Sequence, residues 1–307
     1  MNIVKKVRNL NVGDLYSMLG IPGNLGLMAS VRPPTNIQTN VYYVNDNGGS
    51  DVYDGLSPDT PFKTILKART VSAARINWSA SGVPWANNDL VIIFPGKYDE
   101  TNLVGGLFGI HVIGLGHSFD VDGESGVVIK PDSGAVWDAS SWINMSLSNV
   151  AFMGASGASP LLQLDTFNRG IIQDCVFQGI PGGSATTTKG FETVHDVTGS
   201  ILRRCFFNQL LNGIYIDVAA PHQFTGCILE DLIIMATETN GIYVEAGSVP
   251  SGTIVRKFII GPTPTKGIND VDGGVFFIKG WVEAAANDPA TGSGHYSQVY
   301  LNGTLQS

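Results

Sequence analysis

Charge is scarce in this chain. Asp, Glu, Lys and Arg make up 14% of its 307 residues, and no stretch gathers Lys and Arg into a stripe. With a formal charge of −8 as well, nucleic acid is excluded as a partner, because neutralising phosphates takes clustered cations. Long apolar runs are missing too, and the stretches present fall well short of a membrane span, so a soluble protein with no membrane partner is expected. Cysteine is sparse and odd in number: three residues, with no Cys-x-x-Cys and no nearby pair of histidines. That excludes a paired disulfide framework and argues against a metal centre; reduced thiols, no metal and no cofactor are expected. A cleavable export signal is also lacking, since Lys5, Lys6 and Arg8 are followed by Asn-Leu-Asn-Val-Gly-Asp rather than an apolar core.

What the chain does have is glycine, 38 of them, and a repeated pattern. One motif reads Asn-Gly-Ile-Tyr-aliphatic-acid, at Asn212 to Asp217 and again at Asn240 to Glu245. The other is a short apolar run behind a polar or small residue, beginning at Asn149, Asp174, Arg204, Gly226 and Lys257. Taking Val150, Cys175, Cys205, Cys227 and Phe258 as equivalent, the steps are 25, 30, 22 and 31 residues. Self-similarity at this period marks units stacked in one dimension. The runs are about four residues long, too short for helices, and rich in Ile, Val and Phe, so they read as strands. A chain that lays one such strand beside its counterpart every turn is an all-β, right-handed parallel β-helix. In that fold the equivalent slot points inward, and a buried column holding all three cysteines is expected.

Three segments follow. Residues 1–38 read as an N-terminal arm, with a short helical pattern around Val12 to Leu19 and then Gly and Pro punctuation. Residues 39–282 hold the β-helix, opened by the strand Val41 to Val44 and capped by an α-helix over 61–76 with Phe62, Ile65, Leu66, Ala68 and Val71 as its apolar stripe. Such a helix hides the exposed core and unpaired edges at the end of a solenoid. Residues 283–307 read as a loop followed by one alternating terminal strand, Tyr296 to Leu305, that asks for a partner and could serve trimerisation.

Tyr43 to Asp51, followed by Asp54 to Ile65, resembles the opening of right-handed β-helix proteins of the pectin-lyase-like superfamily. Asp89 to Tyr98 and Ile110 to Gly116 are similar to their first regular strands. The likeness spans about residues 40 to 280 and implies the scaffold. It does not supply a reaction, because Asn-Thr-Asp, Asp-Asp, Gly-His-Gly and Arg-Ile-Lys, which mark the pectin-hydrolysing members, are absent. Arg203, Arg204 and Arg256 do not sit in the pattern of the calcium-dependent lyases either. Members of phage tailspike type are commonly homotrimers, so the resemblance implies three chains.

Strand alternation places Ile214, Ile216, Ile242 and Val244 inside and turns Tyr215, Asp217, Tyr243 and Glu245 outward. Stacked on adjacent coils, Asp217 and Glu245 would lie about 4.8 Å apart. Paired carboxylates this close are candidates for the acid and nucleophile of a retaining glycosidase, whose separation is about 5 to 5.5 Å. Tyr215 and Tyr243 would supply faces for sugar rings, with Asp165 as a possible third acidic member. Like columns also arise from sheet packing alone or from a subunit interface. Asp120, Asp122 and Glu124 lack the spacing of a calcium loop, and His195 with Glu192 and Asp196 reads as a surface turn that could form an exposed acid/base group. Two functions stay open. One is a virion surface protein, a spike, fibre or decoration, that attaches to phage capsid or tail proteins through residues 1–38 and faces outward, with host surface polysaccharide as a further partner. The alternative is a polysaccharide depolymerase, hydrolase or lyase, on the same fold.

Overall fold

The computed structural model describes residues 40–75, 88–100, 103–104, 106–116, 125–130, 136–139, 141–154, 160–180, 189–218, 222–246, 248, 250–263, 266–271, 274–284, 290–292 and 295–306. The N-terminal arm, residues 1–38, lies outside them, as do Asp120, Asp122 and Glu124.

Three sheets of 16, eight and six strands, here sheets I, II and III, form a right-handed parallel β-helix. Each coil passes through sheet II, then sheet III, then sheet I twice, on either side of a sharp bend. In one coil Leu162–Leu164 lies in sheet II and Phe167–Asn168 in sheet III, while Ile171–Gln173 and Val176–Gln178 form the two limbs of sheet I. The next coil repeats the path with parallel pairing, Leu162 against Phe191, Phe167 against Val197, Ile171 against Ile201 and Val176 against Phe206.

The bends are made by single residues in the left-handed region. Asn144, Arg169, Gly199, Gly226 and Gly252 turn the chain from sheet III into sheet I, and Asn149, Asp174, Arg204, Asp231 and Lys257 turn it between the limbs of sheet I. A left-handed conformation costs a non-glycine residue about 1 to 2 kcal/mol. Core burial after each bend offsets that cost.

These two bends correct the sequence alignment. Both place a small or apolar inward residue after a turn residue, so they look alike in one dimension. Cys175 and Cys205 follow the second bend, but Cys227 follows the first and stacks with Ser200 and Thr253. The residue over Cys205 is Leu232, and the true column of Val150, Cys175, Cys205, Leu232 and Phe258 advances by 25, 30, 27 and 26 residues. All three cysteines are free and buried, as expected, although not in one column.

The interior is one continuous cluster of aliphatic and aromatic side chains. Its most regular part is the stack Phe152, Phe177 and Phe207, whose ring centroids are 5.1 and 4.6 Å apart with interplanar angles of 13° and 4°. Coil spacing imposes this geometry, since parallel strands lie about 4.8 Å apart.

The capping helix, α1, spans Ile65–Ala74 rather than 61–76. Thr64 is its N-cap, its side chain accepting from the Lys67 N–H at 3.1 Å. Residues before it are taken by the first strand, Val41–Val44: the Phe62 N–H donates to the Tyr43 carbonyl at 2.8 Å, and the Asn45 N–H to the Phe62 carbonyl at 2.9 Å. Ile65 and Ala68 enter the core, Val71 packs at its margin and Leu66 points to solvent. Buried Asp89 ties the far end of α1 to the first coil, accepting from Ser72 Oγ and pairing with Arg75, each at 2.7 Å.

At the other end the coils run past residue 282. Val275–Ala284 pairs in parallel with His295–Leu301, and Ala290–Gly292 adds a strand to sheet II. The expected lone terminal strand is therefore two strands, His295–Leu301 and Thr304–Gln306, joined as an antiparallel hairpin. The hairpin turns at Asn302 and Gly303, with φ of 45° and 82°, and Asn-Gly is the favoured pair for that geometry. Its sheet partner, Val275–Ala284, is in the same chain.

Candidate functional site

The repeated Asn-Gly-Ile-Tyr unit builds one face of sheet II, and each position has its own physical reason. Asn212 and Asn240 are buried and stacked, with Asn240 Nδ2 donating to Asn212 Oδ1 at 2.9 Å, so each satisfies its neighbour's amide. The glycines sit where coils come closest: a Cβ on Gly213 would lie 2.7 Å from the Gly241 carbonyl oxygen and 2.7 Å from Ile234. Ile214, Ile216, Ile242 and Val244 are buried as alternation requires. That leaves Tyr215, Asp217, Tyr243 and Glu245 facing outward, each half-buried.

Two outward columns result. In the first, Gln163, Glu192, Tyr215, Tyr243 and Asn269 occupy successive coils. Two residues further along each strand run Asp165, Val194, Asp217 and Glu245, fixed by backbone bonds from Val194 to Leu164 at 3.1 Å, Asp217 to Thr193 at 2.9 Å and Glu245 to Ile216 at 2.9 Å. Asp217 and Glu245 are thus vertical neighbours, one strand spacing apart. Asp165 shares their column, but Val194 separates it from Asp217, and its contact is with His195 at 3.6 Å.

The first column is linked from Gln163 to Tyr243. Gln163 Nε2 donates to Glu192 at 2.7 Å, and the other Glu192 oxygen takes Lys189 Nζ in a short ion pair. The same ammonium lies 3.5 Å from the centroid of the Tyr215 ring, a cation–π contact. Tyr215 and Tyr243 stack with centroids 5.0 Å apart at 30°. The Tyr215 hydroxyl donates a short hydrogen bond to Glu245, joining the two columns.

Burial and charge act on Asp217 and on the Tyr215 hydroxyl. Burial raises the pKa of Asp217, the adjacent charge of Glu245 raises it further, and Lys189 and His195 pull it back in part. Burial, together with the bond to Glu245, raises that of the Tyr215 hydroxyl, which therefore stays a donor. Asp217, with its pKa raised, thus stands beside Glu245, which takes the hydrogen bond of the Tyr215 hydroxyl.

The other sequence candidates are dispersed. Glu192 turns to Lys189 rather than to His195, and Asp196 lies 3.4 Å from His222, so the acid/base group that His195, Glu192 and Asp196 could have formed is not assembled; the two imidazoles meet edge to face, 4.3 Å apart. Arg203 is spent on Gln173 at 2.6 and 2.9 Å, Arg204 on Asp174, and Arg256 on Glu230. Among the described residues, no group of three or more His, Cys, Asp or Glu could hold a metal ion. Sequence reasoning missed Lys189 and Gln163 and placed Glu192 with His195 instead. The signal was present: Lys189-Gly-Phe-Glu-Thr-Val194 and Lys266-Gly-Ile-Asn-Asp-Val271 follow the same Gly, apolar, polar pattern as the Asn-Gly-Ile-Tyr units. An open groove of about 740 Å³ lies elsewhere, over the second limb of sheet I, where Ile259, Trp281, Tyr300 and Leu305 stand beside Lys257 and Lys279.

No family model matches the chain, and no curated protein matches it in sequence. Solved structures do match in shape. A pectate lyase, Pel9A, superposes with a TM-score of 0.52 over 85% of this chain and 75% of its own, at 13% identity. The fold is the pectate lyase β-helix. An alginate lyase from Paenibacillus sp. covers 75% of this chain and 96% of its own at 11% identity with a TM-score of 0.39, and a lacto-N-biosidase from Eubacterium ramulus covers 84% and 66% at 10% identity with a TM-score of 0.29.

Proposed function

We propose that this chain is a polysaccharide depolymerase that hydrolyses glycosidic bonds on the outward face of sheet II, with Asp217 as general acid and Glu245 as nucleophile. One observation carries this: among the described residues, Asp217 and Glu245 are outward carboxyls stacked on adjacent coils of sheet II, the first with its pKa raised by burial and by its neighbour's charge, the second taking the hydrogen bond of the Tyr215 hydroxyl. The pectate lyase it superposes on is named for a polysaccharide, which agrees with a sugar-directed role on this scaffold.

The proposed steps run as a double displacement. A sugar packs against the exposed edges of the Tyr215 and Tyr243 stack, with its anomeric carbon over Glu245. Asp217 gives its proton to the glycosidic oxygen, a Glu245 carboxylate oxygen bonds to the anomeric carbon, and the carbon–oxygen bond to the leaving sugar breaks. Water then attacks the same carbon, its proton passes to Asp217, and Glu245 leaves as carboxylate. The strands that carry the two carboxyls lie about 4.8 Å apart, a spacing that favours the retaining class, whose carboxyls stand about 5 to 5.5 Å apart, over the wider inverting one.

Reducing-end release from polysaccharides tests the proposal. Asp217→Asn and Glu245→Gln should each lower it at least about a hundredfold while the fold persists. Full release by either variant would remove this assignment.

A further inference from the structure

Resting on that reading, we infer that the substrate is a neutral glycan and not a uronate polymer, because the face of sheet II lacks the cations a uronate chain requires.

The positions of the positive charges carry the point. Of the 18 Lys and Arg residues, Lys5, Lys6, Arg8 and Arg32 precede the β-helix, and every other one lies among the described residues. Only Lys189 and Lys266 are on strands of sheet II. Lys189 is bound to Glu192 and covers the Tyr215 ring, and Lys266 stands at the opposite end of the same column, beyond Asn212 and Asn240. Of the segments entering and leaving sheet II, 155–159, 181–188, 219–221 and 264–265 contain no Lys or Arg, and the 130–136 connection carries Lys130, at the strand Trp137–Ala139, three coils before Asp217. Against the two lysines stand Asp165, Glu192, Asp217 and Glu245.

A uronate chain carries a carboxylate on each sugar, and every one approaching this face would meet carboxylates with no unengaged cation beside the reacting pair. Eliminative cleavage asks more. As the proton leaves C5, charge grows on the adjacent carboxylate and must be met by a fixed positive group, and the ammonium that acts on Asp217, that of Lys189, is already bound to Glu192 and covers the Tyr215 ring. Hydrolysis of a neutral sugar makes no such demand: it needs one proton donor, one carboxylate nucleophile and a water molecule. The arginines a lyase could have used are bound to Gln173, Asp174 and Glu230 on sheet I, away from this face.

Binding and product analysis with the intact protein test the inference. The probes are mannan, galactan, xylan and dextran on one side and polygalacturonate and alginate on the other. The expected result is retention and cleavage of at least one neutral polymer, preferred by about tenfold or more over both uronates, with saturated products. Preferential binding of a uronate polymer, or release of unsaturated products absorbing in the ultraviolet, would overturn the neutral-glycan assignment while leaving a polysaccharide function in place. Binding of none of the six would remove both.

Discussion

Glu100 offers a test of how the cap holds the solenoid. Its carboxylate receives the first two N–H groups of α1, from Ile65 at 2.5 Å and Leu66 at 2.8 Å. A carboxylate at a helix N-terminus is ordinarily stabilised in its charged form. Here burial dominates, with Asp51 and Asp46 nearby adding to it, and the carboxyl is pushed up from 4.5 to about 7 despite the two backbone bonds. Between those values the folded protein binds a proton that the unfolded chain releases. This contribution to stability is therefore complete below pH 4.5 and is lost as pH rises through 7. At about 1.4 kcal/mol per unit, the loss is about 3 kcal/mol. Chemical denaturation of the native protein and of Glu100→Gln across pH 4 to 8.5 isolates it, since every other carboxyl is common to both. The stability difference, native minus variant, should fall by about 3 kcal/mol as pH rises. A difference that stays flat or grows with pH would show that the helix terminus outweighs burial, and the argument would fail.

Three further predictions test other levels. Phe177 sits between two parallel rings with no exposure, so Phe177→Ala should cost about 3 to 5 kcal/mol in urea denaturation, and Phe177→Leu about 1 to 3 because it keeps volume and loses two stacking contacts. Equal costs for both would argue against the stack. Gly213→Ala forces a methyl to within 2.7 Å of the Gly241 carbonyl and should lower stability by about 1 to 3 kcal/mol, read as a drop in thermal midpoint. Tyr215→Phe keeps the ring stack but removes the donor to Glu245; turnover should fall about tenfold to a hundredfold with glycan affinity nearly unchanged, and an unchanged turnover would free Glu245 from the role given to it.

The scaffold was legible because it is periodic. Ile, Val and Phe in short runs, spaced by one coil, state the fold, and the alternation in Ile214-Tyr215-Ile216-Asp217 states which side chains face out. Register was less legible. Two bends per coil use the same left-handed turn, so Gly226-Cys227 and Arg204-Cys205 resemble each other in sequence while lying at different corners. The outward column was read only where letters repeat. Tyr215 and Tyr243 are found, whereas Lys189 is missed and Glu192 is read beside His195 instead of in the column, because a stacked column needs only compatible neighbours, and a Lys and Glu pair satisfies the slot as well as a tyrosine does. Charge placement could be counted from the sequence but not located. That Arg203, Arg204 and Arg256 are all spent on sheet I follows only from coordinates.

Hydroxyl-radical footprinting of the intact protein with and without a bound glycan tests the central claim most directly, because two stacked aromatic pairs on different faces compete. Tyr215 and Tyr243 on sheet II should be protected, while Trp281 and Tyr300, whose rings lie 5.5 Å apart in the open groove of sheet I, should label as before. Protection of Trp281 and Tyr300 alone would place the sugar away from Asp217 and Glu245 and contradict the account.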